Sequence, residues 1–150
     1  MTSQAEDPPS PRFATPGRSF VIAHRGASIA APENTLRAFQ VAYDAGADGV
    51  ELDVLPTSDG HLVVMHDGSV GRTTDGRGPV GGLSLAEIRA LRTVHAGALT
   101  DEPVPALRDV LAWLPAGFSC LIEIKSRGTA SLLLAELEAT PTAGNVGVCS

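Results

Sequence analysis

Apolar residues along this chain follow two alternating periods, one typical of strands and one typical of helices. Short apolar runs that predict buried strands lie at residues 20–23, 49–54, 62–65, 120–125 and 145–149. Helical spacing marks four segments between these runs, with apolar faces that include Leu36 and Phe39, Leu85 and Ile88, Leu107 and Leu111, and Leu133 and Leu137. This alternation predicts an α/β fold with a largely parallel sheet.

Capping signals predict where three of the helices begin. The Pro32-Glu33-Asn34-Thr35 stretch indicates a helix start, with Asn34 or Thr35 as the cap. Ser84-x-x-Glu87 is a capping box for the second helix. Pro105 is predicted to open the third, at a position where its missing N–H is harmless.

The chain is predicted to consist of a tail and one folded unit. Residues 1–18 hold four prolines and almost no apolar periodicity, which predicts a disordered N-terminal tail. Residues 19–150 are predicted to fold. Within them, residues 94–103 are predicted to be a loop. The glycine-rich stretch 68–82 is interpreted as a solvated loop or as a loop whose Arg72 reaches an anionic ligand.

Charge and composition limit the classes of partner that the chain could bind and the cellular compartment in which it is expected. The formal net charge of −6, with no basic cluster, argues against a nucleic-acid surface. No apolar run approaches the length of a membrane span, and no signal peptide is visible, so we expect a cytoplasmic protein. Cys120 and Cys149 lie in strand-like runs and are expected to be buried free thiols in a reducing compartment.

The run at residues 49–54 carries two acids on one side. Side chains two apart on a strand share a face, so Glu51 and Asp53 project together. Burying one unpaired carboxylate costs several kcal/mol. The pair therefore requires a shared cation or a basic partner, unless the strand lies at an edge with its polar face in water.

Two other runs carry further ionisable groups toward this pair. The run at residues 62–65 ends in His66-Asp67. An antiparallel hairpin would place Asp53 opposite His66 and Leu55 opposite Val64, and a parallel arrangement ending at the same edge would also bring Asp53 and His66 together. The run at residues 120–125 repeats the two-residue spacing with Glu123 and Lys125.

The distribution of these groups favours a barrel over an open sheet. Four successive predicted strands end in ionisable residues: His24-Arg25, Glu51 with Asp53, His66-Asp67, and Glu123 with Lys125. Active sites of (β/α)₈ barrels gather at the C-terminal ends of the strands, whereas an open doubly wound sheet concentrates ligand groups at a switch point. The predicted fold is therefore a TIM-type (β/α)₈ barrel.

The residue types at these strand ends match metal-assisted phosphate chemistry. Glu51, Asp53 and Glu123 form an all-oxygen set that suits a hard divalent cation such as Mg²⁺ or Ca²⁺. Two histidines at the ends of different strands can act as general base and general acid near neutral pH. These are His24 and His66. Fixed positive charge for a phosphate would come from Arg25 and Lys125.

Seven sequence blocks together resemble the glycerophosphodiester phosphodiesterase family, over roughly residues 20–150. The blocks, in order, are His24-Arg25-Gly26, Pro32-Glu33-Asn34-Thr35, Gly46-Ala47-Asp48-Gly49-Val50-Glu51-Leu52-Asp53-Val54, Thr57-Ser58-Asp59-Gly60, His66-Asp67, Arg72-Thr73-Thr74 and Glu123-Ile124-Lys125. The resemblance implies a TIM-type barrel that hydrolyses small glycerophosphodiesters to glycerol 3-phosphate and an alcohol.

The resemblance also implies a role for each site residue. The acids matching Glu51, Asp53 and Glu123 bind the divalent metal, the histidines matching His24 and His66 are the acid/base pair, and Arg25 and Lys125 contact phosphate. The implied course is attack by the glycerol 2-hydroxyl to give a cyclic phosphate, which water then opens.

The chain is short for this family. Such barrels run to about 250 residues, and the last predicted strand here is the fifth, so we expect residues 19–150 to form the N-terminal half of a barrel. An open barrel edge would invite self-association. Two alternatives remain: an inactive truncated remnant or half-barrel module that needs a partner chain, and a phospholipase D-like lyase that forms a cyclic phosphate.

Overall fold

The structure, a computed structural model, describes residues 19–150, so the predicted tail lies outside the described residues. The strands are β1 (Ile22–His24), β2 (Gly49–Pro56), β3 (Leu62–Val64), β4 (Arg92–His95), β5 (Ala98–Pro103), β6 (Ser119–Ile124) and β7 (Asn145–Cys149). The α-helices are α1 (Leu36–Asp44), α2 (Leu85–Arg89), α3 (Leu107–Trp113) and α4 (Thr129–Ala139).

A parallel sheet in the order β1-β2-β6-β7 forms the centre of the fold. Helix α1 connects β1 to β2, and α4 connects β6 to β7, as parallel neighbours require. The register pairs His24 with Glu51 and Asp53 with Glu123. The predicted α/β architecture with a largely parallel sheet is therefore confirmed.

Strand β3 does not extend this parallel sheet, which corrects the predicted strand count. It returns antiparallel to β2, with Leu55 opposite Val63. The predicted hairpin register was wrong by one residue. The turn is closed by a backbone hydrogen bond from the Thr57 N–H to the His61 carbonyl (2.8 Å), and so short a connection permits only an antiparallel return. The described residues thus supply four parallel strands rather than five.

A second hairpin occupies the segment 94–103 that was predicted to be a loop. Strands β4 and β5 pair antiparallel, with His95 opposite Ala98. The two residues between them, Ala96 and Gly97, have φ angles of 50° and 81°. Two consecutive positive φ angles are typical of a type I′ turn, the connection that best suits the twist of a two-residue hairpin.

The helix starts follow the capping signals closely. The Thr35 side chain caps α1 by accepting a hydrogen bond from the Ala38 N–H (3.2 Å). The capping box of Ser84 and Glu87 is present at α2. Helix α3 begins two residues later than predicted, at Leu107, because the Asp109 carboxylate accepts a hydrogen bond from the Ala106 N–H (3.0 Å) and fixes the cap there.

The main apolar core lies between the parallel sheet and its helices. Fully buried side chains from β2 and β6, Leu52 and Ile122, pack with Phe39 of α1 and Leu111 of α3. A second cluster surrounds Ile88 of α2. Among residues 19–150, no helix combines the length and the apolarity needed to cross a bilayer.

We expect Gly49→Ala to destabilise the fold, because Gly49 allows β2 and β6 to approach closely. A Cβ atom at Gly49 would lie 2.5 Å from the Ser119 carbonyl oxygen and 2.8 Å from Ile22 Cδ1. Overpacking of this kind costs about 1–3 kcal/mol. Urea denaturation measures the loss. Gly68→Ala, where an added Cβ meets nothing within 4 Å, is the control and should be nearly neutral; an equal loss in both variants would contradict this account.

Candidate active site

Three carboxylates from two adjacent strands meet at one edge of the sheet. Glu51 and Asp53 project from the same face of β2, and Glu123 projects from β6 directly opposite Asp53. One carboxylate oxygen from each lies within 4.8 Å of the others. Asp53 is fully buried and Glu51 nearly so. The structure therefore brings the three predicted acids together.

Asp53 is the best-compensated of the three acids. The Asn34 side chain donates from Nδ2 to its Oδ2 (3.0 Å), Lys125 Nζ lies 3.0 Å from its Oδ1, and Arg25 Nε lies 3.5 Å from Oδ2. Burial by itself would raise the pKa of Asp53, but hydrogen bonds from Asn34 and Lys125 lower it overall. Asp53 therefore remains ionised although it is buried.

Glu51 is less well compensated. Burial, together with the negative charge of Asp53, raises the pKa of Glu51. A backbone hydrogen bond from the Arg25 N–H to Oε2 (3.2 Å) opposes this only in part. The cost of burying the Glu51 carboxylate is therefore only partly offset by its neighbours.

The lysine predicted at the end of β6 bridges two of the acids. Lys125 Nζ lies 2.8 Å from Glu123 Oε1 as well as 3.0 Å from Asp53 Oδ1. Burial would lower the pKa of Lys125, but the hydrogen bonds to Glu123 and Asp53 raise it overall. Lys125 is therefore a fixed positive charge at this edge of the sheet.

The carboxylate cluster fits a divalent cation. Three carboxylates offer hard oxygen donors, the kind that Mg²⁺ and Ca²⁺ prefer, with no thiol in the set. A cation held between them would offset the repulsion that the negative charge of Asp53 imposes on Glu51. The residues that could hold a metal are therefore Glu51, Asp53 and Glu123.

His24 and Arg25 reach the cluster from the end of β1. The His24 side chain is 70% exposed, and its Nε2 lies 3.8 Å from Glu51 Oε2. Arg25 has a φ of 59°, a left-handed conformation that is uncommon outside glycine, and its backbone N–H donates to the Glu51 carbonyl (2.9 Å). This backbone turn lets Arg25 point its guanidinium back toward Asp53 while His24 faces solvent.

His66 reaches the same edge through β3. The Met65 N–H donates to the Asp53 carbonyl (3.0 Å), which continues the β2–β3 pairing past the end of β3 and holds His66 next to the cluster. His66 Nδ1 lies 2.7 Å from Asp67 Oδ1. All seven predicted site residues thus lie at the C-terminal end of the parallel sheet, although β3 arrives there in the opposite direction.

Sequence reasoning missed the partners of these residues. Glu33 and Asn34 were interpreted only as a helix-start signal, but Glu33 accepts a hydrogen bond from Arg25 Nη1 (3.0 Å) and Asn34 donates to Asp53. Asn34 is buried and has a φ of 57°. The only sequence signal for the position of Asn34 beside Asp53 was the Pro32–Thr35 block as a whole.

Arg72 lies in a largely exposed loop, as the first interpretation of residues 68–82 predicted, and its side chain is 47% exposed. Its guanidinium binds the carboxylates of Glu33 and Asp67, and contact with an anionic ligand stays a prediction. Hydrogen bonds from Arg72 lower the pKa of both carboxyl groups, with the second contribution at Asp67 coming from His66.

Parallel strands ending in a carboxylate cluster, with two histidines beside it, define a (β/α)₈-barrel type of site. Residues 24–140 match the model of the Glycerophosphoryl diester phosphodiesterase family, and the chain belongs to that family. It is 47% identical over 112 residues to a glycerophosphodiester phosphodiesterase of Caldanaerobacter subterraneus subsp. tengcongensis, a match that covers 73% of this chain and 46% of that protein.

Solved structures agree with this assignment. A glycerophosphodiester phosphodiesterase from Agrobacterium tumefaciens superposes with a TM-score of 0.71 at 34% identity, covering 89% of this chain and 59% of that one. An Oleispira antarctica phosphodiesterase, solved in complex with the product sn-glycerol-3-phosphate, gives a TM-score of 0.77 at 30% identity, covering 87% of this chain and 56% of that one.

These matches confirm the predicted fold class: the described residues form part of a TIM-type (β/α)₈ barrel. The chain spans about half the length of the curated relatives it matches, with 46% and 45% of two of them covered.

Proposed function

We propose that residues 19–150 form the N-terminal portion of a glycerophosphodiester phosphodiesterase domain. The proposed reaction is hydrolysis of small glycerophosphodiesters to glycerol 3-phosphate and an alcohol. The observation that carries this proposal is the three-carboxylate cluster flanked by His24 and His66. The solved relative that holds sn-glycerol-3-phosphate supports the choice of substrate class.

In this proposal Glu51, Asp53 and Glu123 hold a Mg²⁺ or Ca²⁺ ion. When bound, such an ion stabilises negative charge on phosphoryl oxygens and makes a nearby hydroxyl more acidic. The protein contributes three carboxylate oxygen donors, two of them buried, and holds them in place through the β2–β6 register. Lys125 and Asn34 fix the orientation of Asp53 from two sides.

The two histidines move the protons. One of His24 and His66 takes the proton of the glycerol 2-hydroxyl as its oxygen bonds to phosphorus. The other gives a proton to the alcohol oxygen as the phosphorus–oxygen bond to that alcohol breaks. Water then opens the cyclic phosphate with the histidine roles exchanged. The positive charges of Arg25 and Lys125 offset the charge of the phosphoryl oxygens throughout.

Turnover of glycerophosphocholine by the 150-residue chain, followed by phosphorus NMR in Mg²⁺ or Ca²⁺, tests the proposal. We expect glycerol 3-phosphate to accumulate. A cyclic phosphate that persists without glycerol 3-phosphate would instead identify a phospholipase D-like lyase. Metal binding without turnover would instead identify an inactive remnant or a half-barrel module that needs a partner chain, since the chain spans about half the length of its curated relatives.

We expect metal removal to lower thermal stability, because the ion would relieve repulsion among three acids of which two are buried. At a free metal concentration about 100 times Kd, binding adds about 2.7 kcal/mol to the free energy of unfolding. Thermal scans with Mg²⁺, with Ca²⁺ and with excess EDTA measure the effect. Equal concentrations of a monovalent salt are the control. Identical midpoints in all four conditions would contradict metal binding.

We also propose self-association through β7. This strand lies at one end of the parallel sheet order, and Val148 on it is 49% exposed. An unpaired strand edge is a template for another strand. Light scattering across a concentration series distinguishes a concentration-dependent dimer from a monomer, and a strict monomer would contradict this proposal.

The cysteines support a cytoplasmic location in this proposal. Cys120 and Cys149 are both free thiols, and Cys120 is buried in β6. Unpaired thiols are typical of a reducing compartment. Cell fractionation of the natural host tests this, and recovery outside the cytoplasm would contradict it.

A further inference from the structure

The Arg72 guanidinium binds two carboxylates from separate segments at once. Its Nε and Nη2 donate to Asp67 at 2.6 and 3.1 Å, and its Nη1 and Nη2 donate to Glu33 at 2.9 and 2.8 Å. Both contacts are two-pronged, which adds geometric specificity to the attraction of opposite charges. Arg72 thus ties the loop after β3 to the segment that precedes α1.

Each of the two carboxylates bound by Arg72 also holds a proposed site residue. Asp67 Oδ1 lies 2.7 Å from His66 Nδ1, and Glu33 Oε1 accepts from Arg25 Nη1 at 3.0 Å. Arg72 is therefore one contact removed from both His66 and Arg25. Its hydrogen bonds and ion pairs in the described structure go to Glu33 and Asp67 and to neither of those two residues.

The contact with Asp67 decides which ring nitrogen of His66 carries the proton. An ionised carboxylate can only accept hydrogen bonds, so in the neutral ring Nδ1 must be the donor. Nε2 is then unprotonated and is the nitrogen available to a substrate hydroxyl. If Asp67 were free to rotate, the ring would lose both this tautomer preference and its orientation.

We propose that Arg72 is a positioning residue that fixes the His66 tautomer through Asp67 and the Arg25 guanidinium through Glu33. The inference rests on the proposed function, because positioning matters only if His66 and Arg25 act on a substrate. The inference goes beyond the proposed function, because Arg72 is given a positioning role although it does not contact substrate or metal.

Arg72 is expected to differ from an ordinary surface arginine in its effect on His66 and not in its effect on stability. Exposed single pairs contribute little to stability, and the Arg72 side chain is 47% exposed. A second arginine on the described surface, Arg89, offers the comparison: its side chain is 44% exposed and pairs with Asp109, away from the site. Loss of either arginine should therefore change stability by a similar small amount, while only Arg72 should change His66.

Nitrogen-15 NMR of the His66 ring tests the proposal without requiring turnover. In the unmodified chain at mildly alkaline pH we expect the shifts of one protonated Nδ1 and one unprotonated Nε2. In Arg72→Gln we expect the two shifts to move toward each other as tautomers mix. Arg72→Lys, which keeps the positive charge but not the planar guanidinium that binds both carboxylates, should give intermediate nitrogen shifts. Arg89→Gln should leave the His66 shifts unchanged.

Kinetics add a second readout. Support of a functional side chain by its neighbours is worth roughly 10–100-fold, so we expect kcat to fall by that factor in Arg72→Gln with KM changed less than about twofold. Unchanged His66 shifts in Arg72→Gln, or equal changes in Arg89→Gln, would overturn the proposal. If the unmodified chain shows no turnover, the proposed function fails on that assay while the NMR result still supports or overturns the positioning role.

Discussion

His24→Ala should lower kcat/KM for glycerophosphocholine by about 10²–10⁴-fold while leaving the fold intact. The loss is expected because general acid–base catalysis by one side chain contributes that factor. The fold should survive because the His24 side chain is 70% exposed and forms no part of the apolar core. Steady-state kinetics measured by release of glycerol 3-phosphate, alongside thermal scans, separate the two effects.

The acid–base assignment also predicts the activity of the variant in which both histidines are replaced by alanine. Because His24 and His66 are proposed to act as a unit, one as base and the other as acid in each step, the double alanine variant should lose little more activity than either single variant. His95→Ala, in the β4–β5 hairpin, is the matched control and should retain activity. Turnover by His24→Ala within tenfold of the unmodified chain would remove the assignment.

Asp53→Asn should weaken divalent metal binding at least about 100-fold, since loss of a ligand exceeds the 10–100-fold cost of losing a supporting contact. The substitution keeps the shape of the side chain but removes the charge that Lys125 and Arg25 face. Hydrogen bonds to charged groups are worth about 1.5–3 kcal/mol, so we expect the metal-free protein to lose about 1–3 kcal/mol of unfolding free energy.

Isothermal titration with Mg²⁺ and Ca²⁺ gives the affinity, and urea denaturation in EDTA gives the stability. Asp44→Asn is the control, because Asp44 is an exposed carboxylate that accepts a hydrogen bond from Gln40 on the surface of α1. Asp44→Asn should change neither the metal affinity nor the free energy of unfolding. Metal affinity in Asp53→Asn equal to that of Asp44→Asn would exclude Asp53 as a ligand.

The parts of the site that lie on strands could be predicted because strand periodicity is strict. A two-residue spacing places Glu51 with Asp53 on one face whatever the neighbouring strands do. The parallel register then brings Glu123 opposite Asp53, and this required only that β2 and β6 be neighbours. The same spacing places Lys125 with Glu123, whereas Arg25 reaches the acids through the left-handed turn that follows β1.

The hairpins could not be predicted in the same way. The apolar run at residues 62–65 indicates a strand but neither its direction nor its register, which the hydrogen bonds of the Thr57–His61 turn determine. The β4–β5 hairpin has mostly exposed strands, so no apolar run marked it. Its turn uses Ala96 where Asn or Asp is usual before glycine, so the turn signal was absent as well.

The partners of the site residues depend on contacts between distant segments. Arg72 and Glu33 are 39 residues apart in the chain, and their two hydrogen bonds follow from the path of the loop after β3. Neither residue type nor spacing encodes that path. The Pro32–Thr35 block was identified from the sequence, but its capping signal explained only Thr35. The hydrogen bonds of Glu33 with Arg25 and of Asn34 with Asp53 could not be read from it.

The two thiols of this chain should respond differently to alkylating reagents. Burial raises the pKa of the Cys120 thiol to about 12, so it should resist maleimides until the protein unfolds. Cys149 is less buried and lies on β7, one of the two end strands of the described parallel sheet. The rate at which Cys149 is labelled would therefore report on whether the β7 edge is covered. Labelling should slow whenever another strand, from this chain or another, pairs with β7.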